Sequence, residues 1–559
     1  MARIYETSYV RVEDNDKEVR FKNIIECIKE YSSTKSDIDA FIFVSTDGDR
    51  QSVTWQALYE RSCAAARAIL RLGVKRKEIV AANLRSCPEW LYATFGSMIA
   101  GAIPMSITFT YSDGSDLVAT MEKLQCCSLL IMDPGFDNVN WNILQKLLEY
   151  HDVTGAVKST KLPYLRYLLG VGFENASGDV RDFRGSFLDD TSIDVNFANI
   201  ESDDVATFLQ TSGSTGIPKL VVHTHGTLLS ASGTNLIAFD SNHKIFNDRP
   251  FIWIGGYPFS VMTGQTRVTV SGFCDAPKNR VAFMKDVILK ERCTLTVGLP
   301  PLMAELKRSQ DDLPSDWPIK GILTGGQPMT KCLASCIGKA GKFLCCIYGS
   351  SEVVFLTQFL VENETDLTEY ACGTALKLKG LEMKIVDENG QTLPVNTRGE
   401  IYVKTPGMFK GYLNDPEKTK AVMTPDGWYK SDDIGRITEN GLFFVEGRKS
   451  NMIISGGLNV APEILEQVIK TFPGVETAVI VPVPDAIYYQ VVCACVVRKP
   501  GSDLTEEMLR KVCEDFHADK PGLFTVLPKF YMFIDKLPET NTGKIDRRAI
   551  IKIACDKFK

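Results

Sequence analysis

Gln210-Thr211-Ser212-Gly213-Ser214-Thr215-Gly216-Ile217-Pro218-Lys219 is the stretch on which the reading of this chain turns. Strand-like residues flank it, 206–209 before and 220–223 after. Gly213 and Gly216 let the backbone turn and bring its N–H groups toward an anion. Thr211, Ser212, Ser214 and Thr215 add hydroxyl donors, and Lys219 adds a positive charge. The composition is that of a phosphate cradle. It is not a Walker loop, because Pro218-Lys219 replaces the Gly-Lys-Ser/Thr ending and a strand, not a helix, follows. A flexible Ser/Gly linker would not be held so tightly between two apolar strands.

Around this loop lies a long chain of ordinary globular composition. Its 559 residues exceed one hydrophobic core and predict two to four domains. The net charge is -6, with both signs interspersed, which argues against a nucleic-acid surface. Sixteen cysteines follow no disulfide-scaffold spacing, and the pairs Cys126-Cys127 and Cys345-Cys346 sit in apolar runs, as buried reduced thiols do. Cys332 and Cys336 lack two further ligands nearby, and five histidines are too few for a histidine-rich metal site. The charged first twenty residues contain no apolar signal core, and the chain ends Phe558-Lys559 without a peroxisomal or prenylation motif. The apolar run 90–107 is broken by Gly96, Gly101 and Pro104 and reads as a buried helix plus a strand rather than a membrane span. A cytoplasmic location is the expectation.

Helix-like and strand-like segments alternate through the first 350 residues, for example a helix over 57–72 and a strand over 79–83, which predicts α/β layers. Asn389-Gly390 and Asn440-Gly441 mark hairpins. After Arg448 the pattern starts afresh: helix near 464–469, strands at 478–483 and 491–497, helix near 509–516 and a third strand at 530–534. The predicted organisation is a large N-terminal multi-layer α/β domain, residues 1–448, and a small mobile C-terminal α+β domain, residues 449–559.

Six further segments follow the loop in order: Gly325-Gly326-Gln327-Pro328; Tyr348-Gly349-Ser350-Ser351-Glu352; Arg398-Gly399-Glu400 through Gly411-Tyr412; Asp426-Gly427-Trp428-Tyr429-Lys430-Ser431-Asp432-Asp433; Gly447-Arg448 to Gly456-Gly457-Leu458-Asn459-Val460; and Pro538-Glu539-Thr540-Asn541-Thr542-Gly543-Lys544. Together these resemble the signature segments of the adenylate-forming, AMP-binding enzyme superfamily. Acyl- and aryl-CoA synthetases such as 4-coumarate-CoA ligase, peptide-synthetase adenylation domains and firefly luciferase are its members. The resemblance covers residues 205–548 and is diffuse before that.

The resemblance implies an acid-thiol ligase. A carboxylate oxygen attacks the α-phosphorus of ATP and expels pyrophosphate, and the acyl-AMP then passes to CoA. Two anions are brought together, so cations and donors are required at the developing charge. By resemblance the signature loop with Lys219 holds the β- and γ-phosphates, and Gly325, Gly326 and Gln327 contact adenine. Tyr348 stacks on adenine, with Gly349 in the same motif. Ser351 donates to the α-phosphate or the substrate carboxylate, and Glu352 binds Mg²⁺. Asp433 accepts from the ribose hydroxyls and Arg448 reinforces the ribose or phosphate side. Lys544 contacts the reacting carboxylate and α-phosphate. The small domain delivers Lys544, then rotates so that Gly456 approaches and leaves room for pantetheine.

The sequence departs from the family pattern at Asp432, where glycine is usual, and at the hinge, where Ser450 stands for Asp or Lys. Asp tolerates left-handed backbone better than most residues, so the turn is expected to survive. Trp253 falls where relatives carry an aromatic or histidine gate, Gly255 and Gly256 leave space, and Phe355 is placed on the far wall. This look resembles medium-chain fatty acyl-CoA synthetases. A luciferase-like oxygenase of the adenylate and a non-catalytic nucleotide-binding homologue stay open as alternatives, the latter because of the extra charge at Asp432.

Overall fold

A computed structural model describes residues 5–108, 115–172, 181–184, 198–211, 219–271, 280–298, 300–326, 329, 337–368, 370–449, 452–460, 462–518, 526–538 and 545–558. Two large sheets organise most of the chain. The first has six strands in the spatial order Lys219–Thr224, Val205–Thr211, Ile103–Ser106, Ile79–Asn83, Cys127–Met132 and Tyr167–Gly170. Its central strands Ile79–Asn83 and Cys127–Met132 are parallel and buried at every position. A parallel strand covered on both faces reads as a continuous apolar run for that reason.

The second sheet has 14 strands. One half is mainly parallel and includes Asp39–Val44, Arg267–Val270, Leu295–Val297, Gly321–Gly325 and Phe343–Ser350. The other half is antiparallel and includes Ala371–Ala375, Phe443–Arg448, Tyr429–Ile437, Gly399–Lys404 and Glu382–Val386. There, Tyr429–Ile437 alternates buried and half-buried residues along its whole length, as a sheet with one covered face requires.

Helices join the layers. Thr54 caps the helix Trp55–Arg71 by accepting from the Ala57 N–H, and Pro88 begins the helix Pro88–Ile99. The two helices pack so closely that a Cβ on Gly96 would stand 2.6 Å from the Ala65 Cβ. Replacing Gly96 would therefore push the pair apart. A single apolar core runs from Phe41 and Phe43 through these helices to Leu129 and Leu169.

The small domain carries a five-stranded sheet: Leu458–Val460, Ile453–Ser455, Tyr489–Arg498 and Val475–Asp485, with Phe530–Phe533 alongside Tyr489–Arg498. One core lies under the helices Pro462–Lys470 and Glu506–Ala518, and another under Arg547–Phe558. The hairpin Ile453–Val460 and the last helix are additions to the sequence reading. The chain is thus α/β in a large N-terminal domain, with a smaller α+β domain after it. Asn440-Gly441 is a hairpin turn as expected, joining Tyr429–Ile437 to Phe443–Arg448, with Gly441 at φ +77°. After Asn389-Gly390, by contrast, only an isolated Val386–Thr392 bridge forms, and the partner strand begins at Gly399. Pro394 lies between, and a proline cannot donate to a ladder.

The cysteines among the described residues are free. No helix among the described residues is long and apolar enough to cross a membrane.

Candidate active site

The parallel strands Gly321–Gly325 and Phe343–Ser350 end side by side, and their carboxyl ends open onto a cavity of about 790 Å³. Ligands in open α/β sheets bind at such strand ends. Thr211 and Lys219 face each other at the base of the signature loop, as partners of the antiparallel pair Val205–Thr211 and Lys219–Thr224, and both line the cavity. Ser212, Gly213, Ser214, Thr215 and Gly216 lie outside the described residues, as do Gln327, the hinge Ser450 and Lys544.

Gly325, Gly326, Tyr348, Gly349, Ser351, Glu352, Asp433 and Arg448 all reach the cavity wall. Gly349 sits where a Cβ would come 1.9 Å from the Val354 carbonyl oxygen, so only glycine permits this bend. The chain then passes through the turn Ser351–Val353, and Val354 takes φ +60°, a strained value for a β-branched residue. Backbone strain of this kind clusters at functional turns.

Two polar pairs span the site. The Tyr348 hydroxyl donates to Asp433 Oδ2 at 2.7 Å. Arg448 Nε stands 2.8 Å from Asp433 Oδ1, an ion pair without the alignment of a hydrogen bond. Burial pushes the Asp433 carboxyl above its ordinary range, against the opposing pull of Arg448 and Tyr348. Asp433 holds the Arg448 guanidinium firmly protonated. In the second pair the Tyr412 hydroxyl donates to Glu352 Oε1 at 2.9 Å, and Lys219 Nζ lies 5.0 Å from the centre of the Tyr412 ring. Tyr412 thereby links the signature loop to Glu352.

Glu352 is 8% exposed, and Tyr412 is the hydrogen-bond partner found for its carboxylate. Its Oε2 has no partner among the described residues. A single carboxylate with a free oxygen, facing a cavity that Lys219 also lines, fits Mg²⁺. That ion binds one or two carboxylates and completes its shell with phosphate oxygens and water. Among the described residues no cluster of three or more acidic, His or Cys ligands exists that would hold a metal alone.

Behind this turn stands a residue that sequence reading passed over. His223 is fully buried, its Nε2 is 2.6 Å from the Ser351 carbonyl oxygen and its Nδ1 is 3.0 Å from Thr227 Oγ1. Burial pushes its imidazole down to about 4, so it is neutral, with Nε2–H donating to Ser351. The available signal was a polar residue ending the apolar run Leu220-Val221-Val222.

One expectation holds and two change in detail. Asp432 adopts φ +63° and its carbonyl accepts from the Lys449 N–H at 2.8 Å, so aspartate does occupy the left-handed turn. Gly256 opens no room for an acyl chain, because a Cβ there would fall 1.9 Å from the Pro250 carbonyl oxygen. Gly255 has nothing within 4 Å and lines the cavity beside Trp253. Gly456, at φ +57°, forms with Gly457, at φ +82°, the tight turn between Ile453–Ser455 and Leu458–Val460. Both residues take the left-handed values that a two-residue hairpin demands. Gly457, rather than Gly456, lines the cavity. Its carbonyl oxygen would lie 2.9 Å from a Cβ on Gly326. The small domain therefore presents this hairpin to the Gly325-Gly326 turn, while Leu537 and Ile545, which bracket the Lys544 loop, are not among the lining residues.

A sequence model of the AMP-binding enzyme family matches residues 28–413, and one of the AMP-binding enzyme C-terminal domain matches residues 465–544. The chain belongs to the AMP-binding enzyme family. The adenylate-forming resemblance read from its loops is thereby established, and the protein is an enzyme of the AMP-forming acyl- and aryl-CoA ligase class. It is 25% identical over 541 residues to the putative acyl-CoA synthetase YngI of Bacillus subtilis, with 93% of this chain and 95% of the relative covered. It is 27% identical over 519 residues to the 4-coumarate--CoA ligase CCL1 of Humulus lupulus, covering 89% and 88%. Its fold is similar to that of the amide bond synthetase McbA from Marinactinospora thermotolerans, at TM-score 0.76, 22% identity and coverage of 95% and 99%. It is also similar to o-succinylbenzoate CoA synthetase from Bacillus subtilis, at TM-score 0.74, 21% identity and coverage of 95% and 98%.

Proposed function

We propose that this AMP-binding enzyme joins a carboxylic acid, a medium-chain fatty acid in the first instance, to CoA through an acyl-AMP. The acid's carboxylate oxygen attacks the α-phosphorus of ATP and pyrophosphate leaves. The CoA thiol, losing its proton, then attacks the acyl carbon and AMP leaves. The observation that carries this reading is the convergence of Lys219, Ser351, Glu352, Asp433 and Arg448 on one cavity that continues into an aromatic-lined chamber. The polar end suits a nucleotide and the apolar end suits an acyl chain.

In this reading Thr211 and Lys219, with Ser212, Gly213, Ser214, Thr215 and Gly216 between them, hold the β- and γ-phosphates. Gly325, Gly326 and Gln327 border the adenine, with Tyr348 and Gly349 on its other side. Asp433 takes the ribose hydroxyls and Arg448 keeps its carboxylate charged. Ser351 donates to the α-phosphate or the acid. Glu352 would hold Mg²⁺, which offsets phosphate charge when bound. Lys544 meets the reacting carboxylate and α-phosphate, placing positive charge where the transition state gathers negative charge. The division between domains falls at 448/449, and the small domain has two working orientations. The approach of Gly457 to Gly326 supports assigning the present one to the thioester step. A cytoplasmic location is part of the proposal.

The test is acid-dependent exchange of labelled pyrophosphate into ATP, run across straight-chain acids with and without Mg²⁺. Exchange that requires both acid and metal, and that Glu352→Gln lowers by about a hundredfold or more, supports the reading. ATP binding without exchange for any acid would instead favour a non-catalytic homologue.

A further inference from the structure

Glu352 is pinned on both sides of its Cα. The peptide unit before it carries the Ser351 carbonyl, which accepts from His223 Nε2 at 2.6 Å. The peptide unit after it carries the Glu352 carbonyl, which accepts from the Phe409 N–H at 2.7 Å. Each unit is planar, so fixing both leaves the Cα–Cβ direction little freedom. Tyr412 then holds Oε1 of the carboxylate. Val354, just past the same turn, takes φ +60°. A strained turn persists only where its surroundings over-determine it.

These ties share one origin. His223 lies in the strand Lys219–Thr224, four residues after Lys219. The segment that supplies Phe409 and Tyr412 runs beside that strand. The Lys410 N–H donates to the Val222 carbonyl at 2.9 Å, the Val222 N–H donates to the Gly411 carbonyl at 3.0 Å, and Val221 bridges to Tyr412. The strand that leaves the signature loop therefore carries both Lys219 and the frame around Glu352. An apolar side chain at position 223 would fill the same buried space without the cost of burying an imidazole. What it could not supply is the N–H for the Ser351 carbonyl. The contact at Nδ1 matters less, because Thr227 Oγ1 also bonds the N–H and the carbonyl of Thr224.

We propose that His223 is a positioning residue for adenylation: it holds the Ser351–Glu352 peptide unit from behind and so aims the Glu352 carboxylate into the cavity, in fixed relation to Lys219. This rests on the adenylation reading and adds to that site a residue outside its wall. His223 is fully buried and is not among the residues that line the cavity. It acts through Glu352 alone, by one hydrogen bond to the backbone. A residue that served only packing would affect stability, nucleotide binding and turnover together. One that aims a group at the reacting centre affects turnover and leaves nucleotide binding in place.

The experiment measures acid-dependent pyrophosphate exchange, with the best acid of a straight-chain panel, in His223→Leu, His223→Asn and His223→Gln. Glutamine can place an amide N–H where Nε2–H stands, whereas asparagine reaches only as far as Nδ1. The leucine and asparagine variants are expected to lower the maximal rate by about tenfold or more, and the glutamine variant to stay within about threefold of wild type. ATP affinity, read by calorimetry with no acid present, is expected to stay within about threefold in all three. In a Glu352→Gln background the further loss from His223→Leu is expected to shrink below about threefold, because the group being aimed is already gone. Thermal melts check folding, and if leucine prevents it, His223→Asn takes its place in both comparisons. Equal rates for the glutamine and asparagine variants overturn the proposal. So does an undiminished loss in the Glu352→Gln background, or an ATP affinity that falls in step with the rate. Each of these leaves adenylation by wild type intact. A wild type that exchanges with no acid of the panel defeats the adenylation reading first, and this inference with it.

Discussion

At the scale of single residues the account rests on Asp433 and its neighbours. Asp433→Asn keeps the shape but removes the charge that faces Arg448 and that, in the proposed function, accepts from the ribose. The KM for ATP is expected to rise roughly tenfold to a hundredfold, since charged hydrogen bonds contribute about 1.5–3 kcal/mol each. Discrimination between ATP and deoxy-ATP should shrink in the variant, and steady-state kinetics with both nucleotides reads this out. Undiminished discrimination places the ribose elsewhere. Asp432 supplies the opposite case. At φ +63° it bears a backbone penalty that glycine lacks. Asp432→Gly is expected to leave the KM for ATP no higher, and to shift stability by no more than about 1 kcal/mol, because glycine's greater freedom when unfolded opposes the relief. Urea unfolding checks the second point, and a several-fold rise in KM would show that the extra carboxylate serves the nucleotide. These residues were legible because short, chemically dense segments carry them. The pairs Tyr348–Asp433 and Tyr412–Glu352 were not, since 85 and 60 residues separate the partners and only the folded sheets bring them together. His223 escaped for a similar reason, because its partner Ser351 lies 128 residues away.

At the scale of elements the hairpin Ile453–Val460 is the decisive piece. Gly456 and Gly457 give it a tight turn, and its tip meets the Gly325-Gly326 turn. Gly326→Ala adds a Cβ 2.9 Å from the Gly457 carbonyl oxygen and strains a residue at φ +83°. It is expected to slow thioester formation from supplied acyl-AMP more than it slows acyl-AMP formation, measured as separate half-reactions. Gly456→Leu should do the same more severely, since leucine adopts left-handed backbone at a cost of about 1–2 kcal/mol. Equal slowing of both steps would show that the hairpin does not distinguish them. The long helix and the parallel strands of the large domain were readable from periodicity. The hairpin was not, because two three-residue strands carry too little alternation to stand out, and its partner strand Tyr489–Arg498 follows only after the helix Pro462–Lys470 and the strand Val475–Asp485. Gly256 was misread for want of its neighbour, since only the folded loop puts the Pro250 carbonyl against it.

At the scale of the whole molecule, two buried histidines tie stability to pH. His223 and His225 are each depressed from 6.5 to about 4 by burial, and His225 Nδ1 accepts from the Ile24 N–H, a bond that protonation destroys. A base whose folded value is lowered favours unfolding as pH drops, so stability present above 6.5 is lost progressively toward 4. Each contributes on the order of 3 kcal/mol across that window. Urea melts at intervals from pH 7.5 to 4.5 should show the loss, and His223→Gln should show a smaller one. An identical slope in both proteins would contradict a buried neutral His223. The proposed division of labour between domains also belongs to the whole chain. Lys544→Ala should cut acyl-AMP formation by orders of magnitude while largely sparing thioester formation from supplied acyl-AMP, because in the proposed function the two steps use different orientations. The central claim is that one cavity makes an acyl-AMP and hands it to CoA. Its most direct test is to quantify pyrophosphate and acyl-CoA in the same reaction, with ATP, saturating CoA and the best acid of the panel. The account predicts the two products in equal amounts. Pyrophosphate released with no acyl-CoA formed would contradict it and send the adenylate to another acceptor.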